Sequence, residues 1–282
     1  MYAVMSNSPL PGLYIVATPI GNLGDLSDRA RVILSAADVV ACEDTRVTGK
    51  LLHLSGIKRP LLRHDDHADD RARASLVERM ASEVVVLVSD AGTPLISDPG
   101  YRLVRDARAA GRLVTSIPGA CAAVTALTMA GLPTDRFLFA GFPPPKSAAR
   151  RTFLGDVTNV HATLIFYESG PRLRASLTDM AAVFGDREAA VARELTKLFE
   201  TTVRGTLSAL ASDPRLDAPK GEIVILVGPG VEQASTAEDA DTALADALTR
   251  LPPGEAASEV ARALGLNRRD LYKRAMALKD GR

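Results

Sequence analysis

A chain of 282 residues is long enough to bury a large core and to divide into two domains plus an appendage. Its 34 basic and 34 acidic residues cancel, and a sequence pI of about 6.9 sets it apart from nucleic-acid binders above about pI 9, so any contact with a nucleic acid must come from local patches. The two cysteines, Cys42 and Cys121, give no disulfide framework and no metal-site spacing, and no apolar run approaches the roughly 20 residues needed to cross a bilayer.

The chain opens on Met1–Pro11, which lacks the basic region and apolar core of a signal peptide and reads as a disordered tail, residues 1–12. From there short β-rich runs alternate with helical patterns, which predicts an α/β fold with a largely parallel sheet. Strands are expected at Tyr14–Ala17, Val39–Cys42, Val84–Ser89, Leu113–Ile117, Phe137–Ala140, Thr163–Tyr167, Ala189–Arg193 and Ile223–Val227. Helices are expected at Leu26–Ser35, Arg46–Leu54, Arg71–Ala81, Gly100–Ala110, Ala120–Ala130 and Arg172–Phe184. Gly131-Leu132-Pro133 interrupts the pattern, and Phe142-Pro143-Pro144-Pro145 adds a stiff turn, so a first α/β domain is placed at 13–133 and a second at 134–230.

After Gly230, the polar, Ala-rich stretch Glu232–Asp241 reads as a linker into a helix at Thr242–Arg250. Ala256–Tyr272 then has the rhythm of a helix-turn-helix, with Gly265 ending one helix and Asn267 capping the next. Residues 235–282 thus form a helical appendage. Its last helix exposes Arg268, Arg269, Lys273, Arg274 and Lys279, either as a solvated face on a packing module or as a nucleic-acid contact. Lys146, Arg150 and Arg151 form a second basic candidate, with plain surface as the alternative.

Two loops carry the strongest signals. Val84–Val88 is continuously apolar, as in a strand buried on both faces, and gives way at once to Ser89–Pro99, at the carboxyl end of the strand, where open α/β sheets place ligands. Asp90, Thr93, Ser97 and Asp98 crowd polar groups into that loop around Gly92, Pro94 and Pro99. Leu13–Ala17 similarly runs into Thr18–Ser27, where Asp25 or Ser27 caps the following helix. The spacing of Gly21 and Gly24 gives only half of a dinucleotide fingerprint, and no partner pattern completes it.

Taken in order, several segments resemble one family. They are Ala17-Thr18-Pro19-Ile20-Gly21-Asn22-Leu23-Gly24-Asp25, Cys42-Glu43-Asp44-Thr45-Arg46, the run Ser89–Gly100, Ile117–Ala123 and Gly131–Phe137, followed by Phe166-Tyr167-Glu168-Ser169, Ala192–Lys197 and Lys220-Gly221-Glu222. From about Leu13 to its end the chain resembles the 16S ribosomal RNA cytidine 2′-O-ribose methyltransferases, a branch of the tetrapyrrole methylase superfamily. Departures are small: Gly170 stands where the family usually repeats Ser or Ala before Pro171, and Cys121 replaces a more usual Ser.

The resemblance implies two α/β domains of the tetrapyrrole methylase type, a cofactor cleft between them, and the small C-terminal helical domain. It implies S-adenosyl-L-methionine as cofactor, held by Pro19, Gly21, Asp90, Gly92, Thr93, Ile96, Cys121, Ala122, Ala192 and Glu222. It further implies a decoding-region cytidine of 16S ribosomal RNA, in the small ribosomal subunit, as target, and a cytoplasmic homodimer with no membrane association. A small-molecule tetrapyrrole methylase and a nucleic-acid-binding regulator with inert domains are the alternatives.

A ribose 2′-hydroxyl is a poor nucleophile and needs a base or a strong hydrogen-bond acceptor. Glu43, Asp44, Arg46 and Glu168 are the candidates for handling the substrate. Asp44 has a second reading as the cap of the helix it precedes, paired with Arg46; Arg46 alternatively grips a phosphate. His64-Asp65-Asp66-His67 contains metal-ligating residue types, but they are adjacent rather than at ligand spacing, and methyl transfer needs no metal, so no metal is expected there.

Overall fold

In the computed structural model, which describes residues 9–64, 70–217, 219, 221–230, 237–264 and 266–280, the apolar runs of the first half form a parallel sheet. Its strands are β1 (Gly12–Val16), β2 (Val39–Cys42), β3 (Leu61–Arg63), β4 (Val84–Leu87) and β5 (Val114–Ile117), in the order β3-β2-β4-β1-β5. Because side chains alternate along a strand, each strand feeds two cores. Tyr14, Val16, Val40, Val84 and Val86 pack with Ala30, Ile33 and Leu34 of α1 (Asp28–Ala36) and Leu52 of α2 (Thr45–Leu54). Leu13, Ile15, Val39, Val85 and Leu87 pack on the other face with Leu76 and Val77 of α3 (Asp70–Arg79) and Leu103 and Ala107 of α4 (Tyr101–Ala109). Ser27 caps α1, its hydroxyl accepting the Ala30 amide at 3.1 Å.

The second sheet corrects the expectation of largely parallel pairing. Its strands are β6 (Phe137–Gly141), β7 (Thr163–Ser169), β8 (Glu188–Arg193), β9 (Thr201–Thr206) and β10 (Glu222–Val227), ordered β6-β7-β10-β8-β9. Only β6 and β7 run parallel; β7–β10, β10–β8 and β8–β9 are antiparallel. One face, carrying Leu164, Phe166, Val191, Ile223 and Ile225, packs on α6 (Ser147–Gly155), α7 (Gly170–Phe184) and α8 (Leu207–Ser212). Its other face carries Ile165, Ala190, Ala192, Val224 and Leu226, covered by Ala123, Ala126, Leu127 and Ala130 of α5 (Ala122–Ala130), and Ile20 packs into the same cluster. The change of sheet therefore falls between Ile117 and Ala122, ahead of the Gly131-Leu132-Pro133 break, and Ile20 reaches across from the first half.

The expected basic patch at Lys146, Arg150 and Arg151 is also revised. Arg150 is 3% exposed and closes a buried ion pair with Asp179 at 2.7 Å, while its Nη1 donates to the Pro145 carbonyl at 3.1 Å. Asp179 also accepts from Ser147 and Arg151. Burial pushes its carboxyl up, but those three donors outweigh it and hold the group below the usual carboxylate range. Lys146 stays exposed.

The chain divides into two compact units, Met1–Gly230 and Val231–Arg282. The second unit is three helices, α9 (Ala237–Ala247), α10 (Pro253–Leu264) and α11 (Arg268–Asp280), around Leu244, Ala256, Ala257, Val260, Leu271 and Ala275. Helix α9 starts inside the stretch expected to be a linker. Asn267 caps α11 by accepting the Arg269 amide at 2.8 Å, whereas Gly265 and the tail Met1–Ser8 lie outside the described residues.

Removing one partner of a buried pair leaves an uncompensated charge. Asp179→Ala is therefore expected to destabilise the first unit by about 3–5 kcal/mol in urea denaturation, and unchanged stability would return Arg150 to the candidate RNA contacts.

Candidate functional site

Strands β1 and β4 are hydrogen-bonded neighbours in register, Ile15 opposite Leu87, so the loops leaving their carboxyl ends start side by side. The loops are stitched together by backbone: the Thr18 amide donates to the Gly92 carbonyl at 2.8 Å and the Gly92 amide returns to Thr18 at 3.1 Å. Thr18 is 1% exposed, and its hydroxyl donates to the Ser89 carbonyl at 3.2 Å. Gly92 has φ +82°, and a Cβ there would stand 3.3 Å from Ile20 and 3.6 Å from the Ala120 carbonyl, so glycine suits both the turn and the close approach. The Thr93 hydroxyl carries the link onward to the Ala120 carbonyl at 2.9 Å. The Ala123 amide then donates to the Tyr167 hydroxyl on β7 at 3.2 Å, tying the start of α5 to the second sheet.

These ties enclose a cavity of about 310 Å³ between the two halves of the first unit, within the range of small-molecule sites. Of the residues singled out in the sequence, it gathers Glu43, Asp90, Gly92, Thr93, Ile96, Cys121, Ala122, Glu168 and Glu222. Asp44, Arg46, Pro19, Gly21 and Ala192 are not in its lining. Asp44 instead caps α2, accepting the Arg46 amide at 2.8 Å, and Arg46 pairs back onto it at 2.6 Å with its side chain 89% exposed. The Arg46 guanidinium and its amide hold the Asp44 carboxyl well below the usual range. The Asp44 amide donates to Asp90 at 3.2 Å, so the capped turn braces a residue of the lining. Ala192, on β8, is fully buried on the face of the second sheet that α5 covers. Gly21 makes room for Lys197: a Cβ there would run into the lysine stem and lie 3.1 Å from the Leu195 carbonyl. Lys197 reaches Glu194 at 3.0 Å and Glu222 at 3.4 Å.

Ile20, Ala91, Ser97, Asp98, Phe142, Tyr167, Ile223 and Val224 complete the lining without having been assigned a role from sequence. Phe142 and Phe139 meet the Tyr167 ring edge-on at 5.4 and 4.8 Å. Asp98 was legible only as one of several polar residues in its loop. Of His64-Asp65-Asp66-His67, only His64 is described; it is buried and its amide donates to the Cys42 carbonyl at 2.8 Å.

Five carboxylates line the cavity (Glu43, Asp90, Asp98, Glu168 and Glu222), and no Lys or Arg does so among the described residues. Glu168 accepts from the Ser169 amide at 2.8 Å and from the Ser176 hydroxyl, and pairs with Arg172 at 3.1 Å. Burial pushes the Asp98 carboxyl up to about 6, opposed by a hydrogen bond to Ser89 and reinforced by the Glu43, Asp90 and Glu222 charges. Burial likewise pushes the Tyr167 hydroxyl up, with Cys121 and Asp98 adding to it, so the phenol keeps its proton. Among the described residues the non-glycine positive φ values are confined to two loops, at Leu95 and Ser97 (73° and 64°) and at Glu194 and Thr196 (51° and 65°). Each such residue costs about 1–3 kcal/mol and persists where its surroundings over-determine it, commonly at binding sites.

A parallel α/β sheet joined to a second, mainly antiparallel one, with a cavity at the join, defines the class. The chain belongs to the Tetrapyrrole (Corrin/Porphyrin) Methylases, whose family model matches residues 12–211. A second family model, the RsmI C-terminal HTH domain, matches residues 234–279. The chain is similar to "Ribosomal RNA small subunit methyltransferase I" of Erythrobacter litoralis, 57% identical over 97% of this chain and 98% of that one. It is 45% identical to the protein of the same name from Escherichia coli O157:H7, over 94% of each chain. Among solved structures, a cobalt precorrin-4 methyltransferase superposes with TM-score 0.56 at 19% identity, covering 77% of this chain and 94% of that one. Diphthine synthase superposes with TM-score 0.59 at 14% identity, over 77% of this chain and 89% of that one, and both likenesses speak to the fold alone.

The Asp98 carboxyl yields a stability prediction. Its folded-state value of about 6 lies above an unfolded value of about 3.9, so the native protein binds the extra proton and stability falls as pH rises through that window. Asp98→Asn is therefore expected to be more stable than the parent above about pH 7, with the gain vanishing below about pH 4, by thermal denaturation across pH. A variant that is less stable at neutral pH would contradict the burial assigned to Asp98.

Proposed function

We propose that the cavity holds S-adenosylmethionine and that the chain uses it to methylate 16S ribosomal RNA of the small subunit, on the ribose 2′-hydroxyl of a decoding-region cytidine. The observation that carries this reading is the charge of the lining: carboxylates without a Lys or Arg among the described residues suit a sulfonium cation and repel a nucleotide's phosphates. The names of the similar proteins support RNA as substrate. Bound there, S-adenosylmethionine supplies a methyl group that is already activated, so the protein's work is to orient two reactants and exclude water.

The backbone at Gly92, Thr93, Cys121 and Ala122 is proposed to hold the nucleoside and amino-acid portions of the cofactor, with Asp90, Ile96 and Glu222 around them. Ala122 begins α5, whose amide end favours the cofactor's carboxylate. Pro19, Gly21 and Ala192 act from behind the lining, Gly21 by admitting the Lys197 stem that reaches Glu222. Glu43 and Glu168 are proposed to lie on the substrate side of the lining, and Asp44 with Arg46 braces Asp90. In the second unit, exposed Arg268, Arg269 and Lys273 on α11 are proposed to touch RNA phosphates, whereas Arg274 pairs with Asp241 at 3.3 Å. A tetrapyrrole substrate has only the superfamily behind it.

Mapping ribose methylation in 16S ribosomal RNA from cells with and without the gene tests the reading: one cytidine is expected to lose its 2′-O-methyl group, and an unchanged map would overturn it. Gly92→Val places a branched side chain at φ +82° against Ile20, and calorimetry is expected to give at least about tenfold weaker S-adenosylmethionine binding, about 1.4 kcal/mol. Unchanged affinity in the folded variant would remove this loop from the cofactor site. Alanine at Arg268, Arg269 or Lys273 is expected to lower the salt slope of small-subunit binding by about 0.7–0.9 for each phosphate no longer neutralised, with cofactor affinity intact. An unchanged slope would leave α11 with packing alone.

A further inference from the structure

The turn Phe142-Pro143-Pro144-Pro145 presents an aromatic ring to the cavity and is braced from two sides. Strand β6 ends on Gly141, at φ +70°, so the chain turns sharply just before Phe142. Each of the three prolines that follow fixes its own φ, and their carbonyls are held by buried or half-buried arginines. Arg172 donates to the Pro143 carbonyl, and Arg150 donates to those of Pro144 and Pro145 at 3.4 and 3.1 Å. Both arginines are anchored in turn, Arg150 by buried Asp179 and Arg172 by Glu168, whose side chain is fully buried. Tyr167, itself backed by Phe139, meets the Phe142 ring edge-on. Yet Phe142 is 56% exposed and joins none of the apolar clusters among the described residues. A ring carried so rigidly and left more than half open adds little to the core and is placed to receive a flat ligand.

We propose that Phe142 is the platform on which the base of the target nucleotide stacks as its ribose enters the cavity. This deepens the reading above and rests on it. The base hangs from the ribose carbon next to the one that bears the 2′-hydroxyl, so fixing the base also fixes the hydroxyl against the methyl group. A base must leave its own stack to enter a cavity, and an aromatic face replaces the stacking it gives up. Charge cannot do this holding. The five carboxylates of the lining repel the phosphates on either side of the target, whereas stacking uses the π-face of the base and is indifferent to them. The adenine of the cofactor is the competing occupant. However, the contacts proposed for the cofactor lie on the loops of the first sheet and the start of α5, while Phe142 follows β6 of the second sheet. Its open surface suits a base that arrives from solvent.

Two variants of the full chain test this. Phe142→Leu keeps apolar bulk and removes the aromatic face. Its kcat/KM for methylation of unmodified small subunits is expected to fall at least about tenfold, with S-adenosylmethionine affinity within about threefold of the parent by calorimetry. Phe142→Trp keeps an aromatic face and is expected to recover most of that loss. The natural chain has no tryptophan, so the fluorescence of this variant, corrected with the parent, reports on the platform itself. Unmodified small subunits are expected to quench it, and S-adenosylmethionine alone is expected to leave it unchanged. This quenching decides by itself if Phe142→Leu does not fold. Full activity in Phe142→Leu, a Phe142→Trp no better than Phe142→Leu, or no quenching by the subunit would overturn the proposal. So would quenching by S-adenosylmethionine alone, or weakened cofactor binding in Phe142→Leu, either of which would give the ring to the cofactor's adenine. A parent protein that transfers no methyl group to the subunit would instead defeat the underlying reading, whereas an active parent with an unimpaired Phe142→Leu defeats the platform alone.

Discussion

The pairing of Thr18 with Gly92 is the interaction on which the cavity depends. Each loop leaves the carboxyl end of a buried parallel strand, where the ladder of backbone hydrogen bonds stops and every further amide needs a new partner. Thr18 and Gly92 supply that partner to each other with two bonds, and the Thr18 hydroxyl satisfies Ser89 as well. Once they are joined, Thr93 can reach Ala120, and the chain enters α5 already leaning on the second sheet through Tyr167. The two halves of the first unit meet through the Ala123–Tyr167 bond and through the apolar cluster that Ile20 and α5 form with the second sheet. Preorganisation of this kind suits a reaction in which orientation supplies much of the rate.

The second organising fact is how charge is distributed. The whole chain is neutral, yet the cavity collects carboxylates and the exposed face of α11 collects cations. Half-burying Asp98, with the Glu43, Asp90 and Glu222 charges nearby, costs stability: burial first and those charges second push its carboxyl up. A fold keeps such a cost where function requires it. The same logic separates the arginines. Arg150 and Arg46 carry charge that carboxylates neutralise, one inside a core and one on the surface, and neither contributes the open basic face that RNA phosphates require.

The parallel sheet and its two loops were legible because their signals are local. Continuous Val, Ile and Leu runs, ended abruptly by Gly, Pro and Asp, specify a doubly buried strand and a turn without reference to the rest of the chain. Helix caps at Ser27, Asp44 and Asn267 were legible for the same reason. What escaped depends on distant partners. Antiparallel pairing of β8 and β10 leaves the same apolar run as parallel pairing would. The edge strands β3 and β9 are short or interrupted by Gly205, and α8 is too brief to show a period. Helix α6 was read as a basic surface because Asp179, which buries Arg150, comes 29 residues later. Asp98 was visible as a polar loop residue, but its half-buried setting exists only once Glu43, Glu222 and Tyr167 have been brought around it.

The cofactor loops and the carboxylates of the lining acquire their roles from one claim, that the cavity is the methyl donor's site. A crystal structure with S-adenosylhomocysteine, the demethylated form of the donor, tests this most directly. Ligand density is expected against the backbone of Gly92, Thr93, Cys121 and Ala122. Density elsewhere on the protein, with this cavity occupied by water alone, would contradict it.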